Sequence, residues 1–243
     1  MKAGKLISIL TLALCVSVTH AGRAGGPPPT ATGASIRGVV HFEGKIPAAK
    51  PVNMAADPVC ARQHPSPILA QEVMIDGKGD LQNVIVFVSE GLGERAFDPP
   101  SQAAVVEQKG CLYEPHVMAL RSNQPLEVVN DDATSHNIHP TPANNREWNK
   151  AEPPGSKLEE AFAREEIAIP VKCNVHPWMK GYIAVFKHPF FAVTGKDGSF
   201  DLANLPPGTY TIKAWHEKLG TATQTVTVGA SEAKEISFVF KGI

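Results

Sequence analysis

Beyond residue 34 the chain is a succession of short apolar or alternating runs, each soon stopped by Gly, Pro, Asn or Asp. The runs are Ser35–Phe42, Gln82–Val88 (QNVIVFV), Pro125–Asn130 (PLEVVN), Glu165–Cys173, Tyr182–Lys187, Phe190–Thr194, Ser199–Leu202, Thr209–His216, Thr221–Val228 and Glu235–Phe240. Short β-branched stretches with turn signals between them dictate an all-β fold, a sandwich or a barrel. No window carries a long helical period, and only Asp57–Gln63 reads as one short helix. The 20 Gly and 21 Pro among 243 residues supply the turns, and a 43% hydrophobic content is enough for a packed core. Three long irregular stretches remain, Ile46–Gln71, Gly91–Ser101 and Thr141–Lys157.

A second unit begins near Phe190. Lys196-Asp197-Gly198 is a hairpin-type turn, and Leu205-Pro206-Pro207-Gly208 is a tight connection. The remainder is small for an autonomous domain, so it is expected to pack against the first unit. The division expected is 1–21 signal peptide, 22–34 spacer, 35–188 first β domain and 189–243 C-terminal β module.

The N-terminus reads as an address. Lys2 and Lys5 precede the apolar run Leu6–Val18, and Thr19-His20-Ala21 ends it with small residues at the positions a signal peptidase reads. Cleavage is expected after Ala21, with Ala24 as the alternative, and the run is short for a membrane span. Lipidation at Cys15 is the competing reading, but Leu14 before it is bulky for that. Gly22–Ala34 (GRAGGPPPTATGA) has no bulky apolar residue and reads as a spacer. With 23 basic and 24 acidic residues there is no basic excess, so nucleic acid is excluded as an expected partner.

Export implies an oxidising compartment. Setting Cys15 aside leaves Cys60, Cys111 and Cys173, an odd number. Neither Cys60 (DPVCARQHP) nor Cys111 (EQKGCLYEP) lies near a ligand-type cluster, whereas Cys173 lies in KCNVHPWMKG, crowded with soft ligands. The economical reading is a Cys60–Cys111 disulfide with Cys173 free. A different pairing with a bystander thiol is the alternative.

Cys173, His176 and Met179 form a C-x2-H-x2-M pattern between two strand-patterned runs. A thiolate, an imidazole and a thioether are soft to borderline donors, and zinc rarely takes a thioether. Two His, one Cys and a weak axial Met is the ligand set of blue-copper sites. The second His must come from NDDATSHNIH, after the PLEVVN run. His136 and His139 are three apart, so on an extended chain they face opposite sides and one of them can face the metal.

These motifs resemble the cupredoxins, most closely the amicyanin, pseudoazurin and plastocyanin type. Cys173-Asn-Val-His176-Pro177-Trp178-Met179 is similar to the short ligand loop of that type, and His136-Asn137 to its earlier motif. The resemblance implies a Greek-key β-sandwich holding one copper ion per chain. It implies His136, Cys173 and His176 as ligands, Met179 as the axial ligand, and Asn137 as the residue tying the two loops together. Val175 departs from the family, which usually has Pro before the His. The strong likeness covers about Glu127–Phe186. From Phe190 the chain resembles the carboxypeptidase regulatory-like module, a small transthyretin-like sandwich, on DGSFDLANLPPGTYTIKAWHE. The whole arrangement is similar to exported proteins named methylamine utilisation proteins, a label of association rather than activity.

The resemblance implies an exported, periplasmic one-electron carrier with no catalytic role, since Met179 fills the position a catalytic copper leaves open. No G-x-S-x-G, phosphate loop or H-E-x-x-H is present. His176 is expected to be the most exposed ligand, with Pro177 and Trp178 as an apolar rim where a redox partner such as a cytochrome or dehydrogenase docks. The bland readings are loop stiffening for Pro177 and packing against a hairpin for Trp178. His139, His188 and His216 are weaker candidates for a second metal or a partner contact. Two other functions fit the same residues: copper storage, delivery or sensing, and a structural or binding β module with a non-redox site.

Overall fold

The structure, a computed structural model, describes Met1 and residues 33–242. The signal peptide (Met1 aside), Cys15 and nearly all of the spacer lie outside the described residues. No described helix is long and apolar enough to cross a membrane.

The fold is all-β and consists of two sandwiches. In the first, β1 (Ala34–Glu43) lies between β13 (Ser199–Leu205) and β16 (Ala233–Lys241). The facing sheet runs β12 (Phe191–Val193), β2 (Ile85–Glu90), β14 (Gly208–His216), β15 (Gly220–Val228). Alternation selects the buried face of each strand: Ala34, Ile36, Val40 and Phe42 of β1 and Tyr210, Ile212 and Ala214 of β14 share one core. Threonines take the outward positions of β15.

In the second sandwich one sheet runs β5 (Val117–Arg121), β11 (Lys180–Phe186), β10 (Glu166–Lys172), β7 (His136–Pro140), β8 (Lys150–Glu152). The other runs β4 (Leu112–Glu114), β3 (Ala104–Lys109), β6 (Leu126–Asn130), β9 (Lys157–Glu160). Leu126, Val128, Ile138, Ile169, Val171 and Ile183 form its core.

The strand pairing does not follow the expected division at residue 188. β1 and β2, read from the sequence as parts of the first domain, complete the C-terminal sandwich, with β1 in the middle of one sheet and β2 inside the other. Without them the C-terminal strands would leave a core open on both sheets. Alternation says which face a strand buries, not against which sheet. The second sandwich, formed by strands between 104 and 186, is therefore inserted between strands of the first.

The two sandwiches also share buried surface. The outer face of β2 presents Ile85 and Phe87 to Val117, Ala184 and Phe186, with the Phe87 and Phe186 rings 5.1 Å apart. His116, before β5, pairs with Glu217, after β14, where both side chains are almost fully buried.

One connection reaches across to one end of the second sandwich. The short helix α1 (Pro58–Gln63) sits in the long β1–β2 connection, with Asp57 as its N-cap accepting from the Val59 and Cys60 amides. This 51–69 segment is a compact loop whose ends are pinned together. The Val52 amide donates to the Ile68 carbonyl and the Ala70 amide to the Lys50 carbonyl, each at 2.9 Å. Met54 and Cys60 plug it into the second core.

Gly38 tests the insertion directly. A Cβ there would lie 1.7 Å from the Ile236 carbonyl of β16. Gly38→Ala is expected to destabilise the protein by about 1–3 kcal/mol or more in urea unfolding, because the overpacked strand is central to a sheet.

Candidate metal centre

The centre is built where the β6–β7 and β10–β11 connections meet. The loop after β10 closes on itself: the Cys173 amide donates to the Met179 carbonyl (3.1 Å) and the Met179 amide to the His176 carbonyl (2.9 Å). This brings Cys173 and His176 to one side, and the His176 amide donates to the Cys173 sulfur at 3.4 Å. Met179 is fully buried in the same core cluster as Cys173.

His136 opens β7 and faces this loop. Its Nδ1 lies 2.9 Å from Nδ1 of His176, and the Cys173 sulfur lies 3.9 Å from the same His176 nitrogen. The ligand atoms of His136, Cys173 and His176 all lie within 4.8 Å of one another, and all three residues are buried. Asn137 ties the loops together, its Oδ1 accepting the Asn174 amide at 2.7 Å and facing the Cys173 sulfur at 3.4 Å. Tyr113 fixes the strand behind it by donating to the Asn137 carbonyl at 2.6 Å.

Each histidine is held from its far side by a carboxylate. His136 Nε2 donates to Asp132 Oδ2 at 2.8 Å, and His176 Nε2 donates to Asp57 Oδ2 at 3.0 Å. An ionised carboxylate only accepts, so each Nε2 carries the proton and each neutral ring turns a bare Nδ1 lone pair inward. Two such lone pairs at 2.9 Å need a cation between them, a proton or a metal ion. With a thiolate and a buried thioether alongside, the donor set fits copper.

The electrostatics of the metal-free site agree. Burial works against a charge on His136, but Asp132 and Cys173 outweigh it and hold the imidazole up at about 9. Burial likewise opposes the Cys173 thiolate, yet the hydrogen bond with His136 and neighbouring backbone hydrogen bonds bring the thiol down to about 6. Asp132 is held below the usual carboxylate range against its burial, by His136 and by the Cys111 and Gly110 amides. Behind the site Glu152 is fully buried beside Gln108, and burial pushes it up to about 7.

Cys60 and Cys111 are joined in a disulfide, and Cys173 is free. His176 differs from expectation. It is 2% exposed, because the 51–69 segment lies over its outer edge. Pro177 is exposed, whereas Trp178 is half-buried, donating from Nε1 to the Cys111 carbonyl with its ring 5.0 Å from His176. Val175 is 57% exposed.

His139 turns to the opposite face, between Asn174 and Glu147. His188 lies between Phe186 and Phe190, with Nδ1 accepting the Phe190 amide. His216 points into the first sandwich near Phe240, with Nδ1 accepting the Lys218 amide. Burial pushes both His188 and His216 down to about 4. Among the described residues no metal-capable cluster contains His139, His188 or His216.

Sequence reasoning missed Asp132 and Asp57. Asp132 stands four residues before His136, a spacing with no motif attached. The N-cap role of Asp57 is readable from the Asp-Pro pair, but its contact 119 residues along the chain is not.

Residues 183–241 match the carboxypeptidase regulatory-like domain family. No curated protein matches the chain in sequence. Among solved structures, the chain is similar to a copper-containing nitrite reductase from Thermus scotoductus (20% identity, TM-score 0.34), over 40% of this chain and 25% of that one. It is similar to a purple cupredoxin from Nitrosopumilus maritimus (22% identity, TM-score 0.30), over 34% of this chain and 98% of that one. It is also similar to a reduced amicyanin variant (19% identity, TM-score 0.32), over 41% and 97% of the respective chains.

In the metal-free protein the Cys173 thiol is expected to be half-ionised near pH 6 rather than near 9. Asp132→Asn removes the charge that keeps His136 protonated, so the midpoint should rise. A pH titration of thiolate ultraviolet absorbance checks this, and an unmoved midpoint would contradict the coupling. The disulfide closes a 51-residue separation, so Cys60→Ser/Cys111→Ser is expected to cost up to about 4 kcal/mol in the chain-entropy account, read by urea unfolding.

Proposed function

We propose that this is an exported mononuclear copper protein that carries single electrons. The observation that carries the reading is the convergence of two inward Nδ1 atoms and one low-pKa thiol in a buried site, with Met179 buried on the same loop. Copper held there supplies a one-electron couple. The chain's part is to bind and to keep the site rigid. His136, Cys173 and His176 are the strong donors and Met179 the weak axial one. Asn137 locks the two ligand-bearing loops, and the closed Cys173–Met179 loop limits rearrangement between oxidation states. Burial of all the donors excludes water, which speaks for electron transfer over catalysis, since catalysis needs an open position. The same burial speaks against ready exchange of copper for delivery.

Electron exchange with a partner protein is proposed at the exposed Val175 and Pro177, which flank His176 in sequence. Trp178 adds only a part-buried edge to this rim. Such encounters need little buried area.

The test is the visible spectrum of the protein with one equivalent of Cu(II). An intense thiolate-to-copper band is expected, with its loss in Cys173→Ala. Asp132→Asn should retain the band while weakening copper affinity by about 10–100-fold, the usual effect of removing a carboxylate behind a ligand histidine. A colourless wild-type protein that binds Cu(I) tightly would favour storage or delivery. One that binds no copper would leave the binding-module reading.

A further inference from the structure

The 51–69 segment does more than cover the site. Asp57 caps α1 through Oδ1, which accepts the Val59 and Cys60 amides at 2.7 and 3.2 Å. Its Oδ2 is left to accept from His176 Nε2 at 3.0 Å and from the Thr134 hydroxyl at 3.1 Å. Oδ1 therefore serves its own helix, and Oδ2 serves the candidate metal centre and Thr134 of the β6–β7 connection. Three residues further, Cys60 is bonded to Cys111. Cys111 in turn sits in the β3–β4 turn, where its own amide and that of Gly110 bind the two oxygens of Asp132, each at 2.8 Å. His64, at the end of α1, adds a 2.7 Å contact to the Gly110 carbonyl. One covalent bond thus joins the two short segments that hold the outer carboxylates of both histidines, and the Cys60 sulfur itself lies 3.7 Å from His176 Nε2.

We propose that Asp57 is a positioning residue of the metal centre. It fixes the His176 ring and closes it from solvent, and the Cys60–Cys111 bond is the clamp that keeps it there. The inference rests on the copper reading for its effect on the metal, but its structural half concerns the metal-free chain. Without Asp57, nothing else among the described side chains but the Cys60 sulfur meets His176 Nε2, and the ring is free to turn its Nδ1 away from His136. The carboxylate also places a negative charge close to the metal, favouring the more highly charged oxidised ion.

The experiment uses the full exported chain, metal-free and copper-loaded. In the metal-free form, diethyl pyrocarbonate modification is mapped by peptide mass spectrometry. His176 is expected to be protected in wild type and in Asp57→Asn, where an oxygen acceptor remains. It is expected to be modified in Asp57→Ala and in Cys60→Ser/Cys111→Ser. In the copper-loaded form, Asp57→Ala should release copper to a chelator about 10–100-fold more readily. Asp57→Asn and Asp57→Ala should both show a higher reduction potential than wild type, because both lose the charge. A purely structural role for the segment would not raise the potential of the well-folded Asp57→Asn protein. Protection of His176 in Asp57→Ala, or an unchanged potential in both Asp57 variants, overturns the proposal. A wild type lacking the copper–thiolate band overturns the copper reading instead, and the modification map then still decides the positioning claim.

Discussion

Two imidazole nitrogens 2.9 Å apart, each bare because its partner nitrogen is committed to a carboxylate, cannot be left facing each other without positive charge between them. That constraint organises the rest of the site. The carboxylates fix the tautomer of both rings. In the metal-free chain Asp132 and Cys173 favour the charged imidazole of His136 against its burial, and His136 in turn favours the Cys173 thiolate. The centre is thus a preformed cation site. On the proposed copper reading, a soft metal ion matched to thiolate and thioether takes the place of that proton.

The fold delivers this arrangement by interlacing its two sandwiches. The strands on either side of the 51–69 segment, β1 and β2, are committed to the C-terminal sandwich, so the connection between them must travel out and return. It uses that excursion to lie across the metal end of the other sandwich, where the disulfide anchors it. Removing the C-terminal module would therefore strip β1 and β2 of their partners and loosen the covering of His176. This gives the module a physical role beside the metal centre without assigning it a ligand.

Much of this was legible in the sequence, and the limits have physical causes. The strands with strong alternation or β-branched runs, such as those around Val84–Val88 and Thr209–His216, were visible because a half-buried strand must alternate or be apolar throughout. The C-x2-H-x2-M loop was visible because its donors are local. The short helix was legible as Asp57–Gln63, and the structure makes Asp57 its N-cap rather than its first residue. Strands β3, β4, β5, β7, β8 and β9 were not among the runs read from the sequence, being short or mixed in character. Sheet membership of β1 and β2 was not readable, because pairing across more than a hundred residues leaves no local trace. Asp57 was missed for the same reason, since only the folded chain brings it to His176. Asp132 was missed although it is local, because a carboxylate four residues before a histidine carries no motif.

The most direct test of the account is an X-ray absorption spectrum at the copper edge of the loaded full-length protein. The account predicts a copper ion with one short sulfur bond and two imidazole nitrogens, with the sulfur lost in Cys173→Ala. A first coordination sphere of nitrogen and oxygen alone, with no sulfur, would contradict it.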